Sequence, residues 1–179
     1  PAQGLPPALA VVNPKRPDSR YPFAELCAAG LAFKLAWAVA QGLSGGRRVS
    51  AEFRAFLLDA LALAGLGTLA DVVPLVGENR ILARHGLQAL RAPSGPGLAA
   101  LKEACCIRAA PTSSEAAFRL APRLNAAGRC GRAADALELL LTGDPSQAAT
   151  LARHLDSLNK RRQSLEQEIL KEARVAARA

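Results

Sequence analysis

Methionine is missing from all 179 residues, and Trp, Tyr and Phe together make up only 4% of the chain. With Pro1 at its start and no basic stretch leading into an apolar one, the sequence shows no secretory leader and reads as a piece of a longer protein. It also lacks a run suited to a bilayer. Residues 60–76 are apolar but too short and too often interrupted by Gly and Pro, and no basic amphipathic helix carries the bulky aromatics that a membrane surface takes up. A soluble chain with no membrane partner is expected. Cysteine is sparse: Cys27, Cys105, Cys106 and Cys130 form neither a CxxC pair nor an even framework, which excludes the common zinc and disulfide scaffolds and suits a reducing cytoplasm. The two histidines, His85 and His154, have charged neighbours and no second ligand at matching spacing, so neither supports a catalytic triad. Acidic residues are outnumbered 15 to 23 by Lys and Arg, and the resulting formal charge of +8 and pI near 10.0 point to a polyanion: nucleic acid, an anionic surface or a phosphorylated small molecule.

What is present is enough for one sizeable core, since 50% of the residues are hydrophobic. "ALAVV" at residues 8–12, stopped by Asn13 and Pro14, predicts a buried strand, and the rest reads as helix. An α/β fragment, mostly helical, is therefore the expected fold class. Residues 23–41 predict a largely buried helix with Lys34 as its lone interior charge. Ser50 suits the N-cap of a second helix, and "ENRILARHGLQAL" a third. Thr112 and Glu115 have capping-box spacing, and Pro122 is expected to end the helix they open, leaving an irregular basic turn behind it. "DPSQ" at residues 144–147 is a strong start for a long last helix, along which Leu151, Leu155, Leu158, Leu165 and Ile169 recur at steps of three and four.

Two stretches stand out as chemistry. In "GLGTLADVVPL", residues 65–75, Asp71 sits among apolar neighbours, and a buried carboxylate needs a cationic, hydrogen-bonding or metal partner. An Asp bonded to local backbone amides, as a cap or turn, is the plain alternative. In "RLAPRLNAAGRCGR", Arg119, Arg123, Arg129 and Arg132 gather around Asn125 and two glycines. Guanidinium forks beside a Gly-containing turn suit phosphate oxygens. A solvated basic turn between two helices explains the same residues without a ligand.

At these motifs the sequence resembles the RecJ exonucleases, a family of the DHH phosphoesterase superfamily. "VVNPKRPDSRYPF", "GTLADVVPLVGENRILARHGL", "RLAPRLNAAGR" and "LLLTGDPSQAATLARHLDSLNKRRQSLEQEI" follow one another in this order. The resemblance implies degradation of single-stranded DNA from the 5′ end, in repair and recombination, with Mn2+ or Mg2+. It implies that Asp71 is a metal ligand and that Arg123, Asn125, Gly128 and Arg129 contact DNA phosphate. It makes other repair or recombination proteins candidate partners.

The family's upstream Asp-rich motif and its Asp-His-His triplet have no match here, nor does its downstream DHH-associated domain. The chain is thus expected to be the C-terminal portion of a DHH catalytic domain, residues 1–143, plus a connecting helix, residues 144–179, with the activity belonging to the parent protein. Two other readings stay open: a DHH phosphoesterase acting on short oligonucleotides or cyclic dinucleotides, and a noncatalytic nucleic-acid-binding relative.

Overall fold

The computed structural model describes Gly4 and residues 6–177. Among the described residues eight α-helices and one π turn follow in order: α1 Ala28–Leu43, α2 Ala51–Ala70, α3 Gly77–Ala89, α4 Pro96–Ala104, α5 Ser113–Glu115, the π turn Ala116–Leu120, α6 Ala121–Arg129, α7 Ala133–Leu141 and α8 Pro145–Ala176. Among the described residues there is no strand, which corrects the α/β expectation for this stretch. Residues 8–12 run extended or bent on the surface, with Leu9 and Val12 exposed. A strand is a paired object, and one apolar segment without a ladder partner has nothing to stabilise it.

The helix starts follow local chemistry. Ser50 Oγ accepts from the Phe53 amide, Asp144 Oδ1 accepts from the Ser146 amide, and Thr112 with Glu115 closes a full capping box. The first helix begins at Ala28, later than residue 23, because the Cys27 thiol takes the capping role by accepting from the Gly30 amide. Pro122 does not end its helix. The π turn just before it widens the backbone, so the proline ring meets no carbonyl one turn back, and α6 runs on through Arg129. The expected basic turn is consequently a helix.

Helix α2 is the axis of the body. Its 20 residues are long and apolar enough, by length and composition alone, to cross a bilayer; the apolar stretch begins earlier than residue 60. Part of that apolar surface is covered by packing, since α1, α3 and the π turn all rest on it, while Phe56, Leu58 and Leu63 stay exposed. One cluster joins Phe33, Leu57 and Leu82 beside α1, and a larger one joins Leu69, Leu90, Leu101, Leu120, Leu139 and Leu155. Each fully buried Leu contributes about 1.5–3 kcal/mol. The first half of α8 belongs to this body through Ala148, Ala152, Leu155 and Asn159, whereas residues 163–177 are exposed throughout. The long helix is one unbroken rod, and the expected boundary at residues 143 and 144 follows the element rather than the packing.

Helices α2 and α3 cross backbone to backbone. A Cβ on Gly86 would lie 2.5 Å from the Gly65 Cα and 2.7 Å from the Leu61 carbonyl oxygen. Helix propensity alone favours Ala over Gly by about 1 kcal/mol, but rigid backbone cannot yield to such an overlap, so the clash decides the sign. Gly86→Ala is expected to cost about 1–3 kcal/mol, read as a lower urea midpoint. Gly46→Ala, in open space, should stay within about 0.5 kcal/mol of wild type. Equal midpoints for both variants would show that the crossing is looser than described.

Candidate functional site

Asp71 is the C-cap of α2, its backbone amide bonded to the Gly67 carbonyl at 3.0 Å. It is exposed, contrary to the burial expected from its apolar neighbours. Those neighbours surface with it: Val72 is 90% exposed, and Leu75 and Val76 are exposed too. Its carboxylate makes no hydrogen bond or ion pair with another described residue, so it is not a satisfied local cap. A carboxylate at a helix C-terminus also sits against the negative end of the helix dipole, which draws a cation to that spot. The residue after it is held oddly. Val72 has φ +55, a left-handed backbone that a β-branched side chain adopts only under constraint, at about 1–3 kcal/mol.

The constraint comes from the elements flanking the loop of residues 72–76. Gly77, at φ +49, begins α3 with the Phe23 ring against it, where a Cβ would meet that ring at 2.9 Å. The Tyr21 hydroxyl donates to the Glu78 carboxylate at 2.7 Å, and Lys34 Nζ reaches the same carboxylate at 3.2 Å. Asn79, fully buried, donates through Nδ2 to the Pro74 and Glu25 carbonyls at 3.0 and 2.7 Å. Thr68, also fully buried, gives its hydroxyl to Ala64 at 2.7 Å and lies 3.4 Å from Cys27 Sγ. Asn79 was not singled out in the sequence, yet a signal exists: it occupies a position of the apolar stripe shared with Leu82, Ala83 and Gly86.

The arginine motif divides by helix face. Asn125, Gly128 and Arg129, at i, i+3 and i+4 on α6, are all exposed, and a Cβ on Gly128 would meet nothing within 4 Å. Arg123 points the other way. Its Nη2 lies 2.7 Å from Asp156 Oδ1 on α8, and its Nη1 donates to the Arg119 carbonyl at 2.6 Å. Arg119 is bonded to Glu115 and to the Cys105 carbonyl, and Arg132 to Asp135. Three of the four arginines are thus engaged within the chain. Arg129 has no ion-pair partner among the described residues.

Among the described residues no group of three or more His, Cys, Asp or Glu side chains is placed to hold one metal ion. His85 is exposed on α3, and His154 Nε2 faces Asp135 at 3.2 Å. Helix α2, which ends at Asp71, touches α6 through the shared cluster of Leu69, Ala121 and Ala127.

No family model matches the chain. It is 41% identical over 174 residues to the single-stranded-DNA-specific exonuclease RecJ of Bacillus subtilis, a match that covers 97% of this chain. It is 41% identical over 171 residues to that of Thermus thermophilus, covering 96% of this chain. The chain belongs to the RecJ family. It spans 20% and 24% of the length of those two relatives. The fold agrees: the structure of RecJ from Thermus thermophilus with Mn2+ matches 96% of this chain and 24% of that one, at TM-score 0.79 and 40% identity. The same RecJ with Mg2+ matches 87% and 23%, at TM-score 0.71 and 41% identity.

Mn2+ and Mg2+ bind hard oxygen donors, and Asp71 fits as one such donor: an unpaired, exposed carboxylate at the negative end of a helix. The RecJ-like stretch supplies no second ligand beside it among the described residues.

The Arg123–Asp156 pair tests how α6 is fixed. Burial works against the Asp156 carboxylate, but hydrogen bonds from Lys160 and Arg123 outweigh it and hold its pKa below the ordinary 3.8. A lowered folded-state value means that this contribution is complete above about pH 4 and is lost as pH falls through the folded value. Asp156→Asn is therefore expected to lower thermal stability at pH 7, with the gap to wild type closing below about pH 4. A gap that stays constant from pH 7 to pH 3 would show that the pair contributes nothing.

Proposed function

We propose that this chain is part of a metal-dependent exonuclease that degrades single-stranded DNA from its 5′ end, in the cytoplasm and in repair or recombination. The observation that carries the reading is Asp71, an unpaired carboxylate on a strained loop within a motif of the RecJ family. Asp71 would hold one divalent cation together with ligands outside this chain. A bound Mn2+ or Mg2+ supplies charge neutralisation at the phosphodiester and lowers the pKa of a water.

The second half of the reading concerns α6. Asn125 and Arg129 would donate hydrogen bonds to DNA phosphate oxygens, and Gly128 leaves room for the backbone to come close. Arg123 serves differently: it fixes α6 to α8, so the phosphate-binding face keeps its place on the body. The exposed residues 163–177 of α8 suit a connector that holds a second domain away from the catalytic one, leaving space for a strand. Such a rod favours a threaded polymer over a short oligonucleotide or cyclic dinucleotide.

Substitutions in the RecJ-family protein of which this chain is part separate the roles. Asp71→Asn should abolish Mn2+-dependent cleavage and leave most of the affinity for single-stranded DNA, which comes from phosphate neutralisation. Arg129→Ala should weaken that affinity and lower the slope of log affinity against log salt by about 0.7, the value of one lost phosphate contact on a single strand. Arg123→Ala should lower the melting temperature instead. Normal cleavage by Asp71→Asn would end the metal assignment, and unchanged binding by Arg129→Ala at every salt concentration would end the phosphate one.

A further inference from the structure

We infer that Asn79 is the positioning residue for Asp71, its side-chain amide holding the loop of residues 72–76 in the shape that presents the carboxylate. The inference rests on the metal-ligand reading of Asp71 given above. Asn79 stands at the third position of α3 and is fully buried. It is a polar residue on a stripe otherwise made of Leu82, Ala83 and Gly86. Both its amide protons are spent on main-chain carbonyls outside the helix: Pro74 at 3.0 Å, inside the loop, and Glu25 at 2.7 Å, in the segment leading to α1. Two carbonyl acceptors fix the amide's orientation, since an oxygen turned towards them would be repelled.

The remaining atom shows what the residue is for. Asn79 Oδ1 is buried and has no hydrogen-bond donor among the described residues. A buried acceptor left unpaired costs about 1–3 kcal/mol, and a Leu of similar size would avoid that cost at a stripe position. An amide at this position is therefore explained by what its nitrogen holds and not by packing.

What it holds is the strained segment. Among the described residues, the bond to Pro74 is the one side-chain hydrogen bond that reaches residues 72–76. The same loop carries Val72 at φ +55, directly after Asp71. A backbone in that region persists only when its surroundings over-determine it. Asp71 is tied at its own amide to Gly67, and Pro74 is tied through Asn79, so Val72 is clamped between two fixed points. Release of the second point lets Val72 relax towards an ordinary negative φ and swings the Asp71 carboxylate. A metal ligand tolerates a displacement of only about 0.5 Å.

The test uses the RecJ-family protein of which this chain is part, with Mn2+ as the probe and binding followed by the electron paramagnetic resonance signal of the free ion. Asn79→Asp keeps the shape and removes both donors; Asn79→Ser keeps one donor in a smaller side chain. Binding about 10–100-fold weaker is expected for Asn79→Asp, with Asn79→Ser between it and wild type. Excess Mn2+ should restore cleavage by both variants. Thr112→Ala, which opens the capping box of α5 away from the loop and costs stability on its own, controls for a purely structural effect and should bind Mn2+ as wild type does. Wild-type Mn2+ affinity in both Asn79 variants, or an equal loss in Thr112→Ala, overturns the positioning role. Asp71→Asn in the same titration separates the two readings. If it binds Mn2+ normally, the metal assignment itself fails; if it loses Mn2+ while the Asn79 variants do not, only the role of Asn79 fails.

Discussion

The crossing of α2 and α3 at Gly65 and Gly86 governs the rest of the structure. Two helices whose backbones touch have almost no freedom to slide or rotate against each other, because a Cβ on either glycine would penetrate the partner's main chain. That contact lies a few turns from the loop joining the same two helices. The loop's ends are therefore fixed before any loop residue chooses its conformation, and residues 72–76 must close a gap set elsewhere. The left-handed Val72 lies in that gap, held between the Asp71 amide on Gly67 and the Asn79 amide on Pro74. Asp71 is thus presented by a rigid hairpin of helices, which is the placement that the proposed metal-ligand role requires.

The chain's positive charge is distributed with the same division between structure and surface. Arg16, Arg119, Arg123, Arg132 and Arg162 are each bonded to a nearby carboxylate, and Lys34 to Glu78. Most of these pairs are exposed and individually worth little. Arg123 and Asp156 differ, being largely buried between α6 and α8. They fix the direction of the long helix at the point where it leaves the body. Arg129 and Asn125 are exposed on α6, and their side chains make no hydrogen bond or ion pair with another described residue.

Much of this was legible in the sequence because local chemistry decides it. The caps at Ser50, Thr112 and Asp144 each satisfy a backbone amide within three residues of themselves, and no distant contact was needed to place them. Longer-range outcomes were less legible. Pro122 reads as a helix end by every local rule, but one π turn upstream removes the steric conflict. The apolar run around Asp71 reads as buried, yet Val72, Leu75 and Val76 are exposed: apolar composition is compatible with either, since hydrophobic residues inside is a one-way rule. Asn79 carries a faint sequence signal in its place on the apolar stripe, but its role shows in the partners of its amide, 5 and 54 residues away in sequence.

The sequence by itself determined most of the helices, the starts at Ser50, Thr112 and Asp144, the basic balance and the motifs that make the family recognisable, because these depend on neighbours along the chain and on residue identity alone. The tertiary structure decided which side of each helix meets water. It turned Arg123 towards Asp156 and Arg129 away, brought Asp71 to the surface, and denied residues 8–12 a strand for want of a ladder partner. Those outcomes depend on the crossing of helices that are distant in sequence, and an exposure or a pairing has no meaning until that crossing is fixed.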